Sequence, residues 1–162
     1  MSIKLLLTGG TIDKSYNESN GELNFTESHI QEILDLGRNL SELEIKQLMS
    51  KDSLGMVDYD RDEILQACIQ SKQDQIVITH GTDTMVETGT VLSEKKLEKT
   101  IVLVGAMVPF VFKHSDAMFN MGFALAAVQT MPYGVYISMN GKVFTSNDVT
   151  KNKALGIFEN IR

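Results

Sequence analysis

Two short segments combine glycines with threonine hydroxyls in a way that suits acyl-transfer chemistry. The first, Thr8-Gly9-Gly10-Thr11, directly follows the apolar run Ile3–Leu7. Two glycines allow a sharp turn and a close backbone approach to a ligand, and free backbone N–H groups suit a developing oxyanion. Thr11 would then present its hydroxyl to a crevice. A plain strand-ending turn is the simpler alternative, and a phosphate loop is disfavoured because the Gly-Lys-Ser/Thr ending is missing.

The second segment, His80-Gly81-Thr82-Asp83-Thr84-Met85, follows another apolar run and opens a helical pattern. Helix capping explains one of its polar side chains, but hardly the unbroken series. A threonine hydroxyl needs a base or a cation to act as a nucleophile, and Asp83 and a lysine would supply that help. The candidate is Lys151, in Asp148-Val149-Thr150-Lys151, although most lysines are solvated surface residues. A lysine buried near Asp83 would change its pKa and act in proton transfer.

These three segments resemble the three signatures of the bacterial-type L-asparaginase/glutaminase family, and they occur in the family's order. Asp52-Ser53 with Met56 is similar to that family's segment for the substrate carboxylate. Gly105–Pro109 and Ser115–Ala117 resemble two further family blocks. Because the matches span almost the whole chain, chance agreement is negligible, whereas any single match could be accidental.

The resemblance implies a two-step acyl transfer in which Thr11 attacks the side-chain amide carbon of L-asparagine. Thr82, Lys151 and Asp83 would move protons and position water, and Asp83 would also bind the substrate α-ammonium. Ser53 would face the substrate α-carboxylate. The implied substrate-binding residues are Gly10, Asp52, Ser53, Gly81, Thr82, Asp83 and Ala106. The resemblance implies no metal ion and no organic cofactor.

The sequence also departs from the family pattern. A loop tyrosine activates the nucleophile in the family, and Tyr16 is the candidate here, although it lies closer to Thr11 than that pattern has it. Leu54 and Gly55 replace polar residues, which leaves Ser53 with less help in holding a carboxylate. The resemblance covers the family's N-terminal domain. We therefore expect residues 1–162 to form one such domain, without the family's C-terminal domain.

The elements that would position these residues alternate between apolar runs and longer helical patterns. Strands are predicted over Ile3–Leu7, Glu42–Met49, Gln75–Thr79, Thr100–Val104, Val135–Met139 and Lys142–Thr145, the last two joined by an Asn140-Gly141 turn. Helices are predicted over about 28–36, 58–71, 84–94 and 115–131, with Ser28 and Asp58 as N-caps and Gly37 closing the first. The segment Thr11–Phe25 is expected to be a loop or a loose hairpin.

Strands separated by helices predict an α/β fold. We expect a mostly parallel sheet with helices on both faces, in the three-layer manner of Rossmann-like and flavodoxin-like folds, plus a C-terminal β-hairpin. Ligands bind beyond the carboxyl ends of the strands in such sheets. The segments Thr8–Thr11, Lys51–Gly55, His80–Thr84 and Gly105–Pro109 all follow predicted strands, so we expect them to converge.

Composition restricts the classes of partner. The 162 residues are 43% hydrophobic and carry a net charge of −6 without a basic run, which is typical of a soluble globular chain and disfavours nucleic acid. No stretch approaches the ~20 apolar residues of a membrane span, and the N-terminus lacks a signal-peptide pattern, so we expect a cytoplasmic location. The single cysteine, Cys68, is expected in the core. His29, His80 and His114 lack a metal-ligand spacing.

Three functions remain open on the sequence alone. The first is an amidohydrolase that acts on L-asparagine or a similar small amide and completes its site as a homodimer or higher homo-oligomer. The second is a catalytically weak module that binds or senses an amino acid. The third is one subunit of a split asparaginase. The intact set of catalytic residue types favours an enzyme.

Overall fold

The structure is a computed structural model that describes residues 2–161. In chain order the strands are β1 (Ile3–Gly9), β2 (Lys14–Asn17), β3 (Glu22–Phe25), β4 (Leu43–Lys51), β5 (Gln75–Thr79), β6 (Thr100–Val104), β7 (Gly134–Met139), β8 (Lys142–Thr145), β9 (Thr150–Asn152) and β10 (Ile157–Glu159). The α-helices are α1 (Ile30–Leu36), α2 (Asp58–Gln70), α3 (Met85–Glu94) and α4 (Ala117–Thr130). Two short 3-10 turns occupy Thr11–Asp13 and Ser53–Gly55.

Six of the strands form one sheet in the order β4-β1-β5-β6-β7-β8. The first five run parallel, and β8 pairs antiparallel with β7. The chain therefore leaves β1 towards one edge of the sheet and then returns to the other side of β1 to form β5. This is the flavodoxin-like strand order, in which ligands bind where the order reverses, beyond the carboxyl ends of the strands.

The sheet is covered on both faces, as the sequence predicted. Residues of β1, β5 and β6 alternate between two apolar clusters, because successive side chains of a strand point to opposite faces. One cluster joins the sheet to α1 and α4, and it contains Leu5, Ile33 and Leu125. The other joins the sheet to α2 and α3, and it contains Ile64 and Leu92. The predicted three-layer α/β fold is confirmed.

The predicted hairpin between Val135–Met139 and Lys142–Thr145 is also present, as β7 and β8. Both residues of its turn, Asn140 and Gly141, have positive φ angles of 57° and 71°. Such angles match the type I′ turn, whose twist suits two adjacent antiparallel strands. A second C-terminal hairpin, β9 with β10, was not predicted, because three-residue strands leave too few positions for a periodic pattern.

The segment from Thr11 to Phe25 was expected to be a loop or a loose hairpin, and the structure has the hairpin, since β2 and β3 pair antiparallel after the 3-10 turn. Differences from the prediction lie at the ends of helices. Ser28 lies one residue before the cap position of α1, yet its hydroxyl still accepts the Ile30 N–H at 3.3 Å. The prediction of Asp58 as a cap was wrong. Val57 is the cap residue, and Asp60 accepts the Val57 N–H at 2.9 Å.

No helix within residues 2–161 is long and apolar enough to cross a bilayer.

The single thiol, that of Cys68, should be unreactive in the native protein. Cys68 has no exposed surface and packs in the cluster under α2, and burial raises the pKa of its thiol to about 12. We expect a disulfide reagent such as Ellman's reagent to modify one thiol per chain in denaturant. At pH 8 without denaturant, modification should proceed only as fast as the protein opens. Rapid stoichiometric labelling of the native protein would contradict this packing.

Candidate active site

Glycine contacts bring three strand-end loops together at the carboxyl edge of the sheet. A Cβ on Gly10, which follows β1, would come within 2.7 Å of the Gly81 Cα atom, which follows β5. A Cβ on Gly81 would in turn meet the Cβ and Oγ atoms of Ser53 at 2.6 Å, in the loop after β4. Side chains at these two positions would push the loops apart. Because Gly10 precedes Thr11 and Gly81 precedes Thr82, the two threonines lie on adjoining loops.

The turn that carries Thr11 is bound to both neighbouring strands. Gly10 has a φ angle of 80°, in the region that favours glycine, and its N–H donates to the Lys51 carbonyl at 2.9 Å. The Thr8 hydroxyl donates to the Thr79 carbonyl at 2.6 Å. The expectation that the glycines leave their N–H groups free is therefore wrong for Gly10. An oxyanion would need another donor, such as the backbone N–H of Thr11.

Lys151 bridges the two polar side chains that follow β5. Its Nζ atom donates to Thr82 Oγ1 at 2.8 Å and to Asp83 Oδ1 at 2.8 Å. The Lys151 side chain is only 10% exposed, whereas that of Asp83 is 34% exposed. This arrangement holds a cation against one hydroxyl and one carboxylate. We call the group formed by Thr11, Ser53, Thr82 and Asp83, on the adjoining loops after β1, β4 and β5, the cup.

A fourth loop, after β6, lies against the loop that carries Thr82. A Cβ on Gly105 would lie 3.3 Å from the Thr82 Cγ2 atom, which brings the adjacent Ala106 next to Thr82. The loop is held from below by Asp116, whose carboxylate accepts the N–H groups of Met107 and Val108 at 3.0 Å. The block Ser115–Ala117 therefore orders this loop from the N-terminus of α4.

The loop after β4 is fixed to the loop after β5 by two hydrogen bonds. Thr84 donates its hydroxyl to the Ser53 carbonyl at 2.9 Å and its N–H to the Ser53 hydroxyl at 3.3 Å. Ser53 is buried, with 1% of its surface exposed. The adjacent Asp52 has a half-exposed side chain and forms an ion pair with Lys14, the first residue of β2. That ion pair was not predicted from the sequence.

Asp13, at the end of the Thr11–Asp13 turn, has a buried carboxylate that was not predicted from the sequence either. Asp13 accepts hydrogen bonds from the Ser28 hydroxyl at 2.9 and 3.0 Å and from the His29 N–H at 3.0 Å. Burial raises the pKa of Asp13, and these hydrogen bonds oppose that shift. The contacts fix the turn to the entry of α1. The partners lie 15 and 16 residues away along the chain, so no local pattern indicates them.

Tyr16 lies outside the cup in this structure. It is 56% exposed on β2, and its hydroxyl lies 3.9 Å from the position of a Cβ on Gly21, in the turn between β2 and β3. Thr11 lies before the base of the same hairpin, so the Tyr16 hydroxyl is directed towards the opposite end. The contacts above bring the other predicted site residues together, and the roles of all of them stay predictions.

His80 is buried beneath the cup and has no exposed surface. Its Nδ1 atom lies 2.7 Å from the Gly81 carbonyl, so Nδ1 carries the proton, and Nε2 accepts the Thr88 hydroxyl at 2.8 Å. Burial lowers the pKa of His80 to about 4, and the positive charge of Arg61 acts in the same direction. The imidazole is therefore neutral at pH 7 and holds the Gly81 backbone in position.

The cup offers hydroxyls, a carboxylate and an ammonium, which are the groups of covalent and proton-transfer catalysis. Within the described part of the chain, no three His, Cys, Asp or Glu side chains are grouped so that they could hold a metal ion.

A family model described as "Asparaginase, N-terminal" matches residues 2–159. The chain belongs to the asparaginase family. A protein named "Probable L-asparaginase periplasmic" from Haemophilus influenzae is 33% identical over 96% of this chain. A component of the glutamyl-tRNA(Gln) amidotransferase of Methanococcus vannielii is 32% identical over 88% of it. The solved thermostable L-asparaginase of Thermococcus kodakarensis superimposes with a TM-score of 0.89 at 30% identity and covers 99% of this chain.

The chain spans about half the length of the asparaginases that it matches. It aligns with 48% of the Haemophilus influenzae protein and with 51% of the Thermococcus kodakarensis structure. It covers 35% of the amidotransferase component. The family resemblance inferred from the sequence is thus confirmed for the N-terminal part of these proteins.

The neutral state of His80 makes stability depend on pH in a defined window. An unfolded chain protonates this histidine near pH 6.5, but the native protein does so only near pH 4. Between these values the unfolded state binds more protons, so the free energy of unfolding falls as the pH falls. We expect a loss of about 3 kcal/mol between pH 7 and pH 4 from this group, measured by urea denaturation.

The variant His80→Gln provides the control, because its unfolding free energy should lack this part of the pH dependence. The raised pKa of Asp13 acts in the opposite direction and is common to both proteins. An NMR titration of the wild-type imidazole gives a direct measurement. A His80 pKa near its ordinary value of about 6.5 would contradict the buried, neutral state.

Proposed function

We propose that the cup hydrolyses the side-chain amide of L-asparagine, or of a similar small amide, by acyl transfer through a threonine ester. The observation that carries this proposal is the position of the Lys151 Nζ atom, at 2.8 Å from both Thr82 Oγ1 and Asp83 Oδ1. Thr82 and Asp83 lie on the loop that adjoins the Thr11 turn. Further support comes from relatives that are named as asparaginases and, in several bacteria, as glutaminase-asparaginases.

In the first step, the Thr11 oxygen attacks the amide carbon and loses its proton. A C–O bond forms, the C–N bond breaks, and the nitrogen takes up a proton to leave as ammonia. In the second step, the oxygen of a water molecule attacks the ester carbon. The C–O bond to Thr11 then breaks, and the threonine hydroxyl is restored as the acid product leaves.

Lys151 and Thr82 serve these proton transfers. A lysine ammonium bound to a hydroxyl oxygen stabilises negative charge on that oxygen, and in its neutral form it accepts a proton through the hydroxyl. Asp83 Oδ1 holds the lysine in place. The second carboxylate oxygen of Asp83, at a side chain that is one-third exposed, is suited to bind the α-ammonium of an amino acid.

The contribution of Tyr16 requires a movement of the β2–β3 hairpin. The hydroxyl of this residue is directed towards the hairpin turn, and the side chain is exposed. We propose that substrate binding brings the tyrosine over the cup, as loops that exclude water do in many enzymes. A closed hairpin would also lower the local dielectric constant and strengthen the interaction between Lys151 and the reacting oxygen.

We propose that a second copy of this chain, or another polypeptide, supplies one wall of the cup when the enzyme is active. The measured molar mass in solution, by light scattering after gel filtration, tests self-association directly. Activity that is proportional to the concentration of dimer rather than of total chain would support a site shared between copies.

The choice between asparagine and glutamine rests on one methylene group. One methylene group changes the binding free energy by about 1–3 kcal/mol in an enclosed pocket. We therefore propose a small amino-acid amide as the substrate class, with L-asparagine as the first compound to assay.

The assay follows ammonia release from L-asparagine, L-glutamine and D-asparagine. We expect Thr11→Val to lower kcat by at least about a thousandfold, because the nucleophile is lost while its volume is kept. Lys151→Met should lower kcat by about a hundredfold to ten-thousandfold, the usual range for a proton-transfer group. Mass spectrometry of a rapidly quenched reaction should detect the aspartyl ester on the peptide that contains Thr11.

Thr90→Val is the matched control for these variants, because Thr90 is exposed on α3 and its hydroxyl donates to the Val86 carbonyl of its own helix. Its kcat should equal that of the wild type. If the wild type binds L-asparagine in calorimetry but releases no ammonia, the protein is a binding module and the hydrolase proposal is wrong. An ester on Thr82 instead of Thr11 would reassign the nucleophile.

A further inference from the structure

Two lysines are paired with aspartates that belong to the cup or lie next to it in the chain. Lys151 binds Asp83, and Lys14 binds Asp52. These four charges cancel as two separate ion pairs. A free amino acid also carries two opposite charges, an α-ammonium and an α-carboxylate. A guest of this kind carries the charges that could exchange with both ion pairs, because Asp83 suits its ammonium and a lysine suits its carboxylate.

The one lysine next to the Ser53 loop, Lys51, is paired with Asp60 at 2.6 Å, and the loop itself carries no other positive charge. Asp52 precedes Ser53 and carries a negative charge, and Leu54 and Gly55 follow it with no polar side chain. The side chain of Leu54 is largely exposed. The carboxylate of Asp52 would repel an anion that approaches the Ser53 hydroxyl, unless a nearby cation neutralises that carboxylate.

Lys14 is the cation at this position. Its Nζ atom donates to Asp52 Oδ2, and its side chain is only 17% exposed. The backbone of Lys14 continues directly from the Thr11–Asp13 turn, and its N–H donates to the Thr11 carbonyl. The ammonium also lies 5.7 Å from the centroid of the Phe25 ring, a distance at which cations are attracted to aromatic faces. The side chain is thus held between the nucleophile turn and the Ser53 loop.

We propose that Lys14 is a specificity-determining residue that recognises the α-carboxylate of the substrate beside Ser53. This inference rests on the proposed function for the class of substrate. Without substrate, the ammonium of Lys14 pairs with Asp52. In the complex, the same ammonium also binds the substrate α-carboxylate. The residue gives the enzyme a preference for free amino-acid amides over amides without an adjacent carboxylate.

The competing role for Lys14 is purely structural, as a tie between the β2–β3 hairpin and the Ser53 loop. The two roles differ in what the removal of each partner does. A structural tie breaks equally when either Lys14 or Asp52 is neutralised. A carboxylate receptor fails only when the lysine is lost, and it gains affinity when the competing aspartate is neutralised.

The experiment compares two ligands in Lys14→Met, Lys14→Arg and Asp52→Asn. Calorimetry measures Kd for L-aspartate and for its α-amide, isoasparagine, which lacks the α-carboxylate. We expect Lys14→Met to weaken L-aspartate binding by about tenfold to a hundredfold, the usual value of one hydrogen bond to a charged group. Isoasparagine binding should change by less than about threefold. Lys14→Arg should recover most of the loss, and Asp52→Asn should tighten L-aspartate binding.

Turnover gives a second readout of the same residue. For L-asparagine, Lys14→Met should raise KM far more than it lowers kcat. For β-alaninamide, which is asparagine without its carboxylate, kcat/KM should stay within about threefold of the wild type. Lys51→Met is the matched control, because Lys51 lies next to Asp52 in the chain but pairs with Asp60 on α2 at 2.6 Å. Lys51→Met should leave the ratio of kcat/KM for L-asparagine to kcat/KM for β-alaninamide unchanged.

Equal losses for both ligands in Lys14→Met, or weaker L-aspartate binding in Asp52→Asn, would overturn the assignment in favour of a structural tie. The calorimetric measurements need no catalysis. Failure of the wild type to release ammonia would therefore overturn the hydrolase proposal. The Kd values for L-aspartate and isoasparagine would still decide the role of Lys14.

Discussion

The contact between the backbones of Gly10 and Gly81 is the constraint on which the cup depends. The two loops approach so closely that a Cβ on Gly10 would lie 2.7 Å from the Gly81 Cα atom. Ser53 presses against the other side of Gly81 at a similar separation. Polar side chains from three strands can therefore face one small volume, because the backbones beneath them have no side chains to keep them apart.

The sequence predicted the large elements well, because their signals are local. Every predicted strand of the sheet is present with ends that agree to within two residues, since a buried parallel strand is a continuous apolar run. The hairpin β9–β10 was missed, and its three-residue strands depend on distant contacts. Phe158 donates its N–H to the Asn140 side chain, 18 residues earlier. The cap of α2 was misplaced because Asp60, which binds the Val57 N–H, is not distinguished from Asp58 by residue type.

The candidate site was also predicted only where the signals are local. Motifs at the ends of strands indicated the loops that meet, because a parallel sheet brings the carboxyl ends of its strands to one edge. The partners of Lys14 and Asp13 could not be predicted. Asp52 lies 38 residues from Lys14, and Ser28 lies 15 residues from Asp13. Charged residues of either sign are common at a surface, and only the folded chain decides which of them meet.

The separation of the cup's walls along the chain links ligand binding to folding. Lys151 meets Thr82 and Asp83 across 69 and 68 residues, and Thr8 meets Thr79 across 71. No short fragment of the chain therefore contains the assembled cup, and an unfolded chain has no affinity for the guest. A molecule that occupies the cup should act as a thermal stabiliser, with a melting temperature that rises with the logarithm of its concentration above Kd.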